Sequence, residues 1–523
     1  MGFYLNPSSE KFSMALNSEI YVDKTMLIAY TNKVTATEQR YICVSRPRRF
    51  GKSMAANMLA AYYSRESDCG TLFCDCQIFQ DKDFDRYRNK YDVIMLNIQE
   101  FLSRSCQTDS MLERMKALVI REMKRAYPSV DYFDESDLIQ CMQDVYETSG
   151  IPFMVIIDEW DCILREYKQD FQSQKRYLDF LRDLLKDKGY IHLVYMTGIL
   201  PVKKYGTHSA LNMFDEFSMT NPGPLAEFTG FTPEETRNLC TRYDMDYEET
   251  RRWYDGYHFE NGLDIYSPKS VISAMLNRRF DNYWNQTETF EALKLYIEMN
   301  FDGLKDAVIA ILAGDRKKID IHNFANDMTS LHSCEDVLTL LVHLGYLGYN
   351  FGTKEIFLPN SEVADEYLSA IKAAGWDEII RSVQASEQLL KATWNMDEQA
   401  VAEGIQNAHL ETSHLQYHDE NALSYTIYLA YYSARQYYMA VREMPAGNGF
   451  ADLVFLPRQN HAGKPAIVVE LKWNHSAEGA IAQIKQKNYG EALRPYYGDV
   501  LLAGIQYDKK SRRHTCRMER ISK

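Results

Sequence analysis

The residues Tyr41-Ile-Cys-Val-Ser45 form a short run of β-branched, aromatic and small side chains, and Arg46-Pro-Arg-Arg-Phe-Gly-Lys-Ser53 follows directly. The first run favours a buried strand, while the residues after the loop, MAANMLAAYYS, favour a helix. A strand, a loop and a helix in this order form the unit that holds nucleotide phosphates in many α/β proteins. The segment therefore predicts an α/β domain with a phosphate-binding loop.

The loop satisfies the second half of the phosphate-loop motif GxxxxGK[ST]. Gly51 allows the backbone to bend round phosphates, Lys52 supplies positive charge, and Ser53 can place a hydroxyl on Mg²⁺. The first glycine of the motif is absent, because Arg46 occupies its position. Taken alone, the loop is also compatible with a glycine-broken turn that carries an exposed lysine.

Three further apolar runs predict buried strands, at Val93–Ile98, Phe153–Ile157 and Ile191–Met196. Amphipathic segments lie between them, near residues 108–127, 137–149 and 172–188. Continuous apolar strands that alternate with helices indicate a parallel sheet covered on both faces. We therefore predict a P-loop ATPase-type domain over residues 1–225.

The strand at Phe153–Ile157 ends in two acids, Asp158 and Glu159. A carboxylate on a strand beside the phosphate loop suits a Mg²⁺ ligand, and a following glutamate suits a general base, which typically contributes about 10²–10⁴-fold to rate. Thr197 ends the next strand, where a polar side chain can contact the bound nucleotide or the attacking water. The alternative for the acidic pair is a helix N-cap after a buried strand.

The pattern changes after residue 225, and residues 226–384 read as a helical lid and a winged-helix-like region. Thr232-Pro-Glu-Glu carries helix-start signals. Val337–Leu344 looks helical, and Gly345–Asn350 with Glu355–Leu358 looks like two strands round a turn. A helix followed by a β-ribbon is consistent with a winged helix.

The last predicted domain, 385–523, carries a second group of carboxylates. Asp452 opens one predicted strand, and Glu470 and Lys472 lie on one face of the next, because side chains alternate along a strand. A hairpin between the two strands brings Asp452 beside Glu470, which suits a Mg²⁺ site for phosphodiester cleavage. Glu420, upstream on a predicted helix, could complete the ligands. The alternative is a surface charge pair.

These motifs together resemble one known family, the AAA-ATPase-like proteins that carry a C-terminal PD-(D/E)XK nuclease-like domain. The resemblance is carried by Arg46–Ser53, Tyr21–Thr25, Ile156–Asp161, Thr197–Ile199, Trp253–Tyr257, Leu344–Leu347 and Pro359–Asn360. It implies an AAA-like ATPase with ATP and Mg²⁺ as cofactors, followed by an α/β restriction-endonuclease-like fold. Lys52 and Ser53 then bind phosphate and Mg²⁺, and Asp158 and Glu159 form the Walker B pair.

For the C-terminal domain, the resemblance implies a metal-binding and catalytic set with Gln483 as an accessory. That set is Glu420, Asp452, Glu470 and Lys472. Phe450 stands where the family usually has arginine, which removes a plausible phosphate contact. Two alternatives to a DNA nuclease therefore stay open: an ATP-dependent switch or nucleic-acid-binding protein that does not cleave, and an effector that acts on RNA or a host component.

The chain has 523 residues and a net charge of −14, with 46% hydrophobic and 25% charged residues. This composition is globular, and it excludes a general nucleic-acid coat, so contact with nucleic acid must be local. The basic candidates are Arg46, Arg48 and Arg49 in the loop, for nucleotide, oligomer or nucleic-acid contact, and a tail from Lys509 to Arg520. Each group has solvated surface charge as its alternative.

No secretory signal and no apolar run of about 20 residues is visible, so we expect a cytoplasmic protein without a membrane partner. The expected partner is nucleic acid, with DNA favoured, and a homo-oligomer is compatible with the loop arginines. Cys69, Cys74 and Cys76 form the one cysteine cluster. We interpret them as small buried thiols, with half of a zinc site as the alternative.

Overall fold

A computed structural model gives the fold as two compact units. The first comprises Met1–Phe290 and Lys317–Asp365, and the second comprises Glu291–Arg316 and Glu366–Lys523. The structure describes residues 2–66, 69–105, 107–167, 170–202, 211–259, 262–284, 293–294, 297, 303–312, 314–321, 324, 333–373, 377–411, 426–428, 430–446, 449–458, 461–473, 476–489, 493 and 497–521. The predicted division at residues 225 and 384 remains a prediction.

A five-stranded parallel sheet forms the centre of the first unit, in the order β2-β3-β4-β1-β5. Its strands are β1 Tyr41–Ser45, β2 Asp92–Asn97, β3 Phe153–Asp158, β4 Ile191–Gly198 and β5 Asp215–Phe217. The first four were predicted, and β5 was not. Since β4 lies between β1 and β3, the carboxyl ends of these three strands meet at one edge of the sheet, where ligands bind in α/β proteins.

Helices cover both faces of this sheet, as predicted. They are α1 Glu10–Leu16, α2 Met26–Val34, α3 Lys52–Tyr63, α4 Phe84–Tyr87, α5 Ile98–Ser103, α6 Thr108–Ala126, α7 Leu138–Ser149, α8 Cys162–Glu166 and α9 Phe171–Leu185, with a 3₁₀ helix at Gln77–Gln80. Alternate residues of β3 pack into two separate apolar cores, Met154 and Ile156 into one and Val155 and Ile157 into the other. Both faces of the strand are therefore buried, which explains its continuous apolar run.

The rest of the first unit is mainly helical, with a small sheet. Its elements are a 3₁₀ helix at Gly223–Phe228, α10 Pro233–Tyr243, α11 Tyr247–Tyr254, α12 Pro268–Asn277, α14 Cys334–Leu344, and strands β6 Tyr257–His258, β7 Asp264–Ile265, β8 Lys317–Lys318, β9 Gly348–Asn350 and β10 Glu355–Phe357. Helix α15 Ser361–Ala373 begins in the first unit and continues past its last residue, Asp365. Thr232 and Glu235 form a capping box at the start of α10, as the sequence predicted. The helix and ribbon of the winged-helix prediction are present as α14, β9 and β10, and β8 pairs with β10. Assignment to that class stays a prediction.

The second unit contains a mixed sheet in the order β11-β12-β13-β14-β15. Its elements are α13 Leu304–Leu312, α16 Asp377–Trp394, α17 Glu398–Glu411, α18 Ala477–Gln486, a 3₁₀ helix at Tyr432–Gln436, and strands β11 Tyr438–Ala446, β12 Gly449–Pro457, β13 Ala466–Trp473, β14 Val500–Asp508 and β15 Arg513–Ile521. The β12–β13 hairpin, α18 and β14 confirm the prediction, while the edge strand β11 was missed. Among the described helices, none is long and apolar enough to cross a membrane.

Candidate nucleotide cleft and metal site

The phosphate loop joins β1 to α3 as predicted. Gly51 has a φ of 91°, a left-handed conformation that glycine adopts without strain, and it forms the N-cap of α3. The Lys52 ammonium donates hydrogen bonds to the carbonyls of Arg46 (2.9 Å) and Pro47 (2.8 Å). Burial lowers its pKa, against the opposing effect of Glu159. The Ser53 side chain is exposed at the start of the helix.

Arg46 does not belong to the exposed surface of the loop. Its side chain is 0% exposed, and Nη1 donates to the carbonyls of Ser45 and Phe217, both at 2.9 Å. The guanidinium also lies 5.1 Å from the centre of the Phe259 ring. Both sequence interpretations of this residue, ligand contact and solvated charge, are therefore wrong, and Arg46 instead fixes the base of the loop.

Asp158 and Thr197 lie at the carboxyl ends of neighbouring strands and are hydrogen-bonded to each other. The Thr197 hydroxyl donates to Oδ1 of Asp158, and both side chains are buried. Asn97, at the end of β2, donates to Oδ2 of Asp158 at a long 3.4 Å. Thr197 thus orients Asp158, whereas the sequence predicted a contact with nucleotide or water.

Glu159 follows in a left-handed conformation, with a φ of 54°, which is uncommon for a residue with a side chain. Burial raises the pKa of its carboxyl, while Lys52 and Arg165 act in the opposite direction. Its Oε2 lies 2.5 Å from Nη2 of Arg165. The predicted base is therefore held by an ion pair inside the site.

The predicted phosphate-binding residues and Glu159 line one open cleft. Its walls are formed by Arg48, Arg49, Gly51, Lys52, Ser53, Met54, Asn97, Gln99, Glu159, Pro268, Lys269 and Ile272. Arg48 and Arg49 line this cleft, and the nucleotide contact proposed for them remains a prediction. Lys269 adds a cation from α12, so four cations line the cleft beside Glu159, which suits a polyphosphate.

An apolar pocket adjoins this cleft. Its lining is Phe12, Ile20, Tyr21, Val22, Lys24, Phe50, Gly51, Met54, Ala55, Met58, Phe228, Gly230, Phe231, Pro268 and Ile272. Gly51, Met54, Pro268 and Ile272 line both spaces. A charged cleft that continues into an apolar pocket fits a ligand with an anionic end and a flat, weakly polar end.

In the second unit, the hairpin places Asp452 and Glu470 side by side, as predicted. The strand register pairs Leu453 with Val469, and Oδ2 of Asp452 accepts a hydrogen bond of 2.7 Å from the backbone N–H of Leu471. Glu470 is 1% exposed, and burial together with the Asp452 charge raises the pKa of its carboxyl to about 7.

The buried carboxylate of Glu470 has one oxygen satisfied and one without a partner. Oε1 accepts from the Gln483 amide and from the Lys472 ammonium, the latter at 3.3 Å. Oε2 is buried and receives no hydrogen bond in the described part of the chain. Since an unpaired buried carboxylate oxygen is costly, this donor set fits a divalent cation that binds oxygen ligands. Glu420 lies outside the described residues.

Two arginines of the predicted basic tail are ion-paired. In β15, Arg517 contacts Glu398 (2.8 Å) and Glu478 (2.9 Å), and Arg520 pairs with Asp499. This pairing reduces the charge that the predicted basic tail can offer to nucleic acid. Phe450, the departure from the family pattern, is 64% exposed on β12, two residues before Asp452.

Cys69 and Cys76 are buried, whereas Cys74 is exposed, so the interpretation of the cysteine cluster as buried thiols is wrong for Cys74. Among the described residues, the one group of at least three His, Cys, Asp or Glu side chains close enough to share an ion is Asp255, His258 and Asp264. Its members already form ion pairs, His258 with Asp264 and Asp255 with Arg251. We therefore assign no metal to it.

Sequence reasoning missed Arg165, which pairs with Glu159, and polar residues of the cleft itself such as Lys269 and Asn97. Arg165 lies four residues after Asp161, a spacing that signals a helical ion pair. Lys269 and Asn97 carried no signal, because only the packing of α12 and the pairing of β2 with β3 bring them to the cleft.

Comparisons with known proteins agree with these two sites. Residues 10–207 match the model of the AAA-ATPase-like family, described as predicted AAA-ATPase, and residues 418–516 match the PD-(D/E)XK nuclease superfamily. A curated relative, an uncharacterized protein in the vnfD 5′ region of Azotobacter chroococcum mcd 1, is 24% identical over 275 residues. The match covers 51% of this chain and 51% of the relative, so the chain spans about half the length of that protein.

Two solved structures show a slight likeness. The ORC2 protein of Aeropyrum pernix, in ADPNP and ADP complexes, has 12% identity and a TM-score of 0.29, covering 70% of this chain and 93% of that one. Cdc6p of Pyrobaculum aerophilum has 9% identity and a TM-score of 0.25, covering 67% and 93%. The strand order and the two family matches therefore carry the assignment. The chain has the architecture of an AAA-ATPase-like protein with a C-terminal domain of the PD-(D/E)XK nuclease superfamily.

Proposed function

We propose that the first unit binds and hydrolyses ATP with Mg²⁺. The observation that carries this proposal is that Lys52 and Ser53 line one cleft with Glu159, which is far from them in sequence. The adjoining apolar pocket is of the kind that accepts an adenine ring by packing against aliphatic and aromatic side chains.

Each residue then has a separate role. Lys52 holds the β- and γ-phosphates, and it must leave the carbonyls of Arg46 and Pro47 to do so. Ser53 and Asp158 are the oxygen ligands for Mg²⁺, which suits that cation because it prefers hard oxygen donors. When bound, the metal neutralises charge on the phosphates. Glu159 orients the attacking water and accepts its proton.

Lysine and glutamate substitutions test this proposal. Lys52→Ala should reduce ATP affinity by at least about tenfold because it removes a charge-assisted contact. Glu159→Gln should retain ATP binding but lose hydrolysis by about 10²-fold or more. Lys33→Ala, an exposed lysine on α2, is the matched control. Unchanged hydrolysis in Lys52→Ala would refute the nucleotide site.

We further propose that the second unit cleaves phosphodiester bonds in nucleic acid, with DNA as the expected substrate. The observation that supports it is the buried Oε2 of Glu470, beside Asp452, which has no hydrogen-bond partner among the described residues. Asp452 and Glu470 are the proposed metal ligands, with Glu420 expected as a third. A bound metal ion activates water and stabilises the charge of the transition state. Lys472, through its ammonium, orients Glu470 and faces the scissile phosphate.

Cleavage should be measured on panels of DNA and RNA, with and without ATP. Glu470→Gln should abolish Mg²⁺-dependent cleavage, whereas Glu403→Gln, at an exposed position on α17, should leave it unchanged. Cleavage that persists in Glu470→Gln would show that the reaction does not depend on this site.

A second candidate function is an ATP-dependent switch that binds nucleic acid without cutting it. Phe450 favours this alternative, because an exposed aromatic ring cannot replace the charge of the family's usual arginine. The same panels separate the two functions. Binding of DNA or RNA by the wild-type chain, without cleavage in Mg²⁺ or Mn²⁺, would support the switch.

A further inference from the structure

Arg165, on the short helix α8, lies between two carboxylates of the nucleotide site. Its Nη2 lies 2.5 Å from Oε2 of Glu159, and its Nε lies 3.1 Å from Oδ2 of Asp161. Only 10% of its side chain is exposed. The guanidinium therefore uses two of its donors to hold two acids at a fixed separation.

Asp161 is an immobile partner in this arrangement. It is 0% exposed, and its Oδ2 also accepts hydrogen bonds from the backbone N–H groups of Ile199 (3.1 Å) and Leu200 (2.8 Å). Those residues follow the end of β4, where a Cβ on Gly198 would lie within 2.7 Å of Oδ1 of Asp161. The position of Arg165 is therefore set by the sheet.

Glu159, in contrast, is 21% exposed and lies on a left-handed backbone. Its backbone N–H donates to Oδ1 of Asp158 (3.1 Å), and its carboxylate is paired with Arg165. Asp158, Glu159 and Asp161 place three negative charges beside Lys52, so without Arg165 they would repel one another in a buried site. The ion pair restrains the direction of the carboxylate and offsets this repulsion.

We propose that Arg165 is a positioning residue for ATP hydrolysis, acting through Glu159. This inference rests on the proposed ATPase function. Arg165 is not among the residues that line the cleft, so it would act through its contact with Glu159. It tethers Glu159 to Asp161 and so to the end of β4, which aims the carboxylate at the water that attacks the γ-phosphate.

The test compares ATP binding with turnover in the full-length chain. Arg165→Met should lower kcat about 100-fold, the loss expected when a catalytic group is misplaced by about 1 Å, and should leave the Kd for ATP within about twofold. Arg165→Lys should recover part of kcat, since it keeps the charge and loses the two-pronged geometry. Arg182→Met is the matched control, because Arg182 pairs with Asp179 at the surface of α9.

The double variant Glu159→Gln/Arg165→Met gives a sharper test. If Arg165 acts only through Glu159, the double variant should be no slower than Glu159→Gln alone, because the second change has no carboxylate left to misplace. The inference would be overturned if the two single losses of kcat multiplied in the double variant. It would also be overturned if Arg165→Met raised kcat, or if Arg165→Met lost ATP affinity by as large a factor as kcat. If Arg165→Met does not fold, unchanged kcat in a folded Arg165→Lys or Arg165→Gln would also overturn it.

The proposed function and this inference fail in different ways. Wild-type ATP hydrolysis in both Lys52→Ala and Glu159→Gln would refute the proposed ATPase site, and with it the role of Arg165. A slow Glu159→Gln together with a wild-type kcat in Arg165→Met would leave the ATPase intact and reject only the role of Arg165.

Discussion

Replacing Glu470 by glutamine should make the metal-free second unit more stable at pH 8 and leave its stability unchanged near pH 4. The wild-type carboxylate is buried beside Asp452, and its Oε2 has no hydrogen-bond donor in the described structure. An amide of similar shape carries no charge, so it removes the repulsion and the desolvation cost.

The magnitude follows from the pKa of the Glu470 carboxyl, which burial and Asp452 raise from an ordinary value of 4.5 to about 7. Because the folded state holds this proton more tightly, the group stabilises the fold fully below about pH 4.5. That contribution is lost as pH rises through about 7. At about 1.4 kcal/mol per pKa unit, the loss amounts to at most about 3 to 4 kcal/mol.

Hydrogen exchange of peptides from β12 and β13 measures this difference in the full-length chain. At pH 8 without metal, the exchange protection of Glu470→Gln should exceed that of the wild type by up to about 300-fold, and the ratio should approach one below pH 5. Saturating Mg²⁺ at 100 times its Kd should add about 2.7 kcal/mol to the wild type and nothing to the variant. Higher protection of the metal-free wild type at pH 8 would refute the reasoning.

Three further substitutions probe the other features of the two sites. Thr197→Val removes the hydroxyl that donates a hydrogen bond to Asp158. Because this is a hydrogen bond to a charged group, its loss should lower Mg²⁺-dependent ATP turnover, measured by phosphate release, by about tenfold or more. Ile272→Asp places a negative charge where the cleft meets the apolar pocket, so a fluorescent ATP analogue should bind at least about tenfold more weakly. Phe450→Arg adds a cation beside Asp452, so the logarithmic salt dependence of DNA binding should steepen by about one unit.

Each of these expectations has a result that contradicts it. Unchanged Mg²⁺ dependence in Thr197→Val would mean that the threonine does not orient Asp158. Normal binding of the analogue by Ile272→Asp would place the nucleotide elsewhere. An unchanged salt slope in Phe450→Arg would separate that position from the nucleic-acid path.

The central strands and the phosphate loop were predictable because their signals are local. Each of β1 to β4 is a continuous apolar run, and such a run reports burial on both faces wherever it occurs. Edge strands give a weaker sequence signal, because only one of their faces is buried. β15, which reads as a charged tail, buries only alternate residues, His514, Cys516 and Met518, and pairs with a single neighbour.

The behaviour of Arg46 was beyond sequence reasoning. An arginine in a basic loop has the chemistry of a solvent-exposed or ligand-binding group, and both interpretations assumed exposure. The carbonyl of Phe217, 171 residues away, and the ring of Phe259 enclose it instead. Such burial depends on which distant segments pack over the loop, and no local pattern records that.

The residues of the two candidate sites could be predicted from the sequence, because each motif and the strand that carries it lie within a short segment. Asp452 and Glu470 could be paired in advance, since a hairpin fixes which residues face each other. Tertiary packing determined how these groups are held. Lys52 is hydrogen-bonded to loop carbonyls, and Glu159 is paired with Arg165. One oxygen of Glu470 is buried without a hydrogen-bond donor in the described structure. The orientation, burial and pKa of a side chain depend on the residues that pack around it, and most of those residues are distant along the chain.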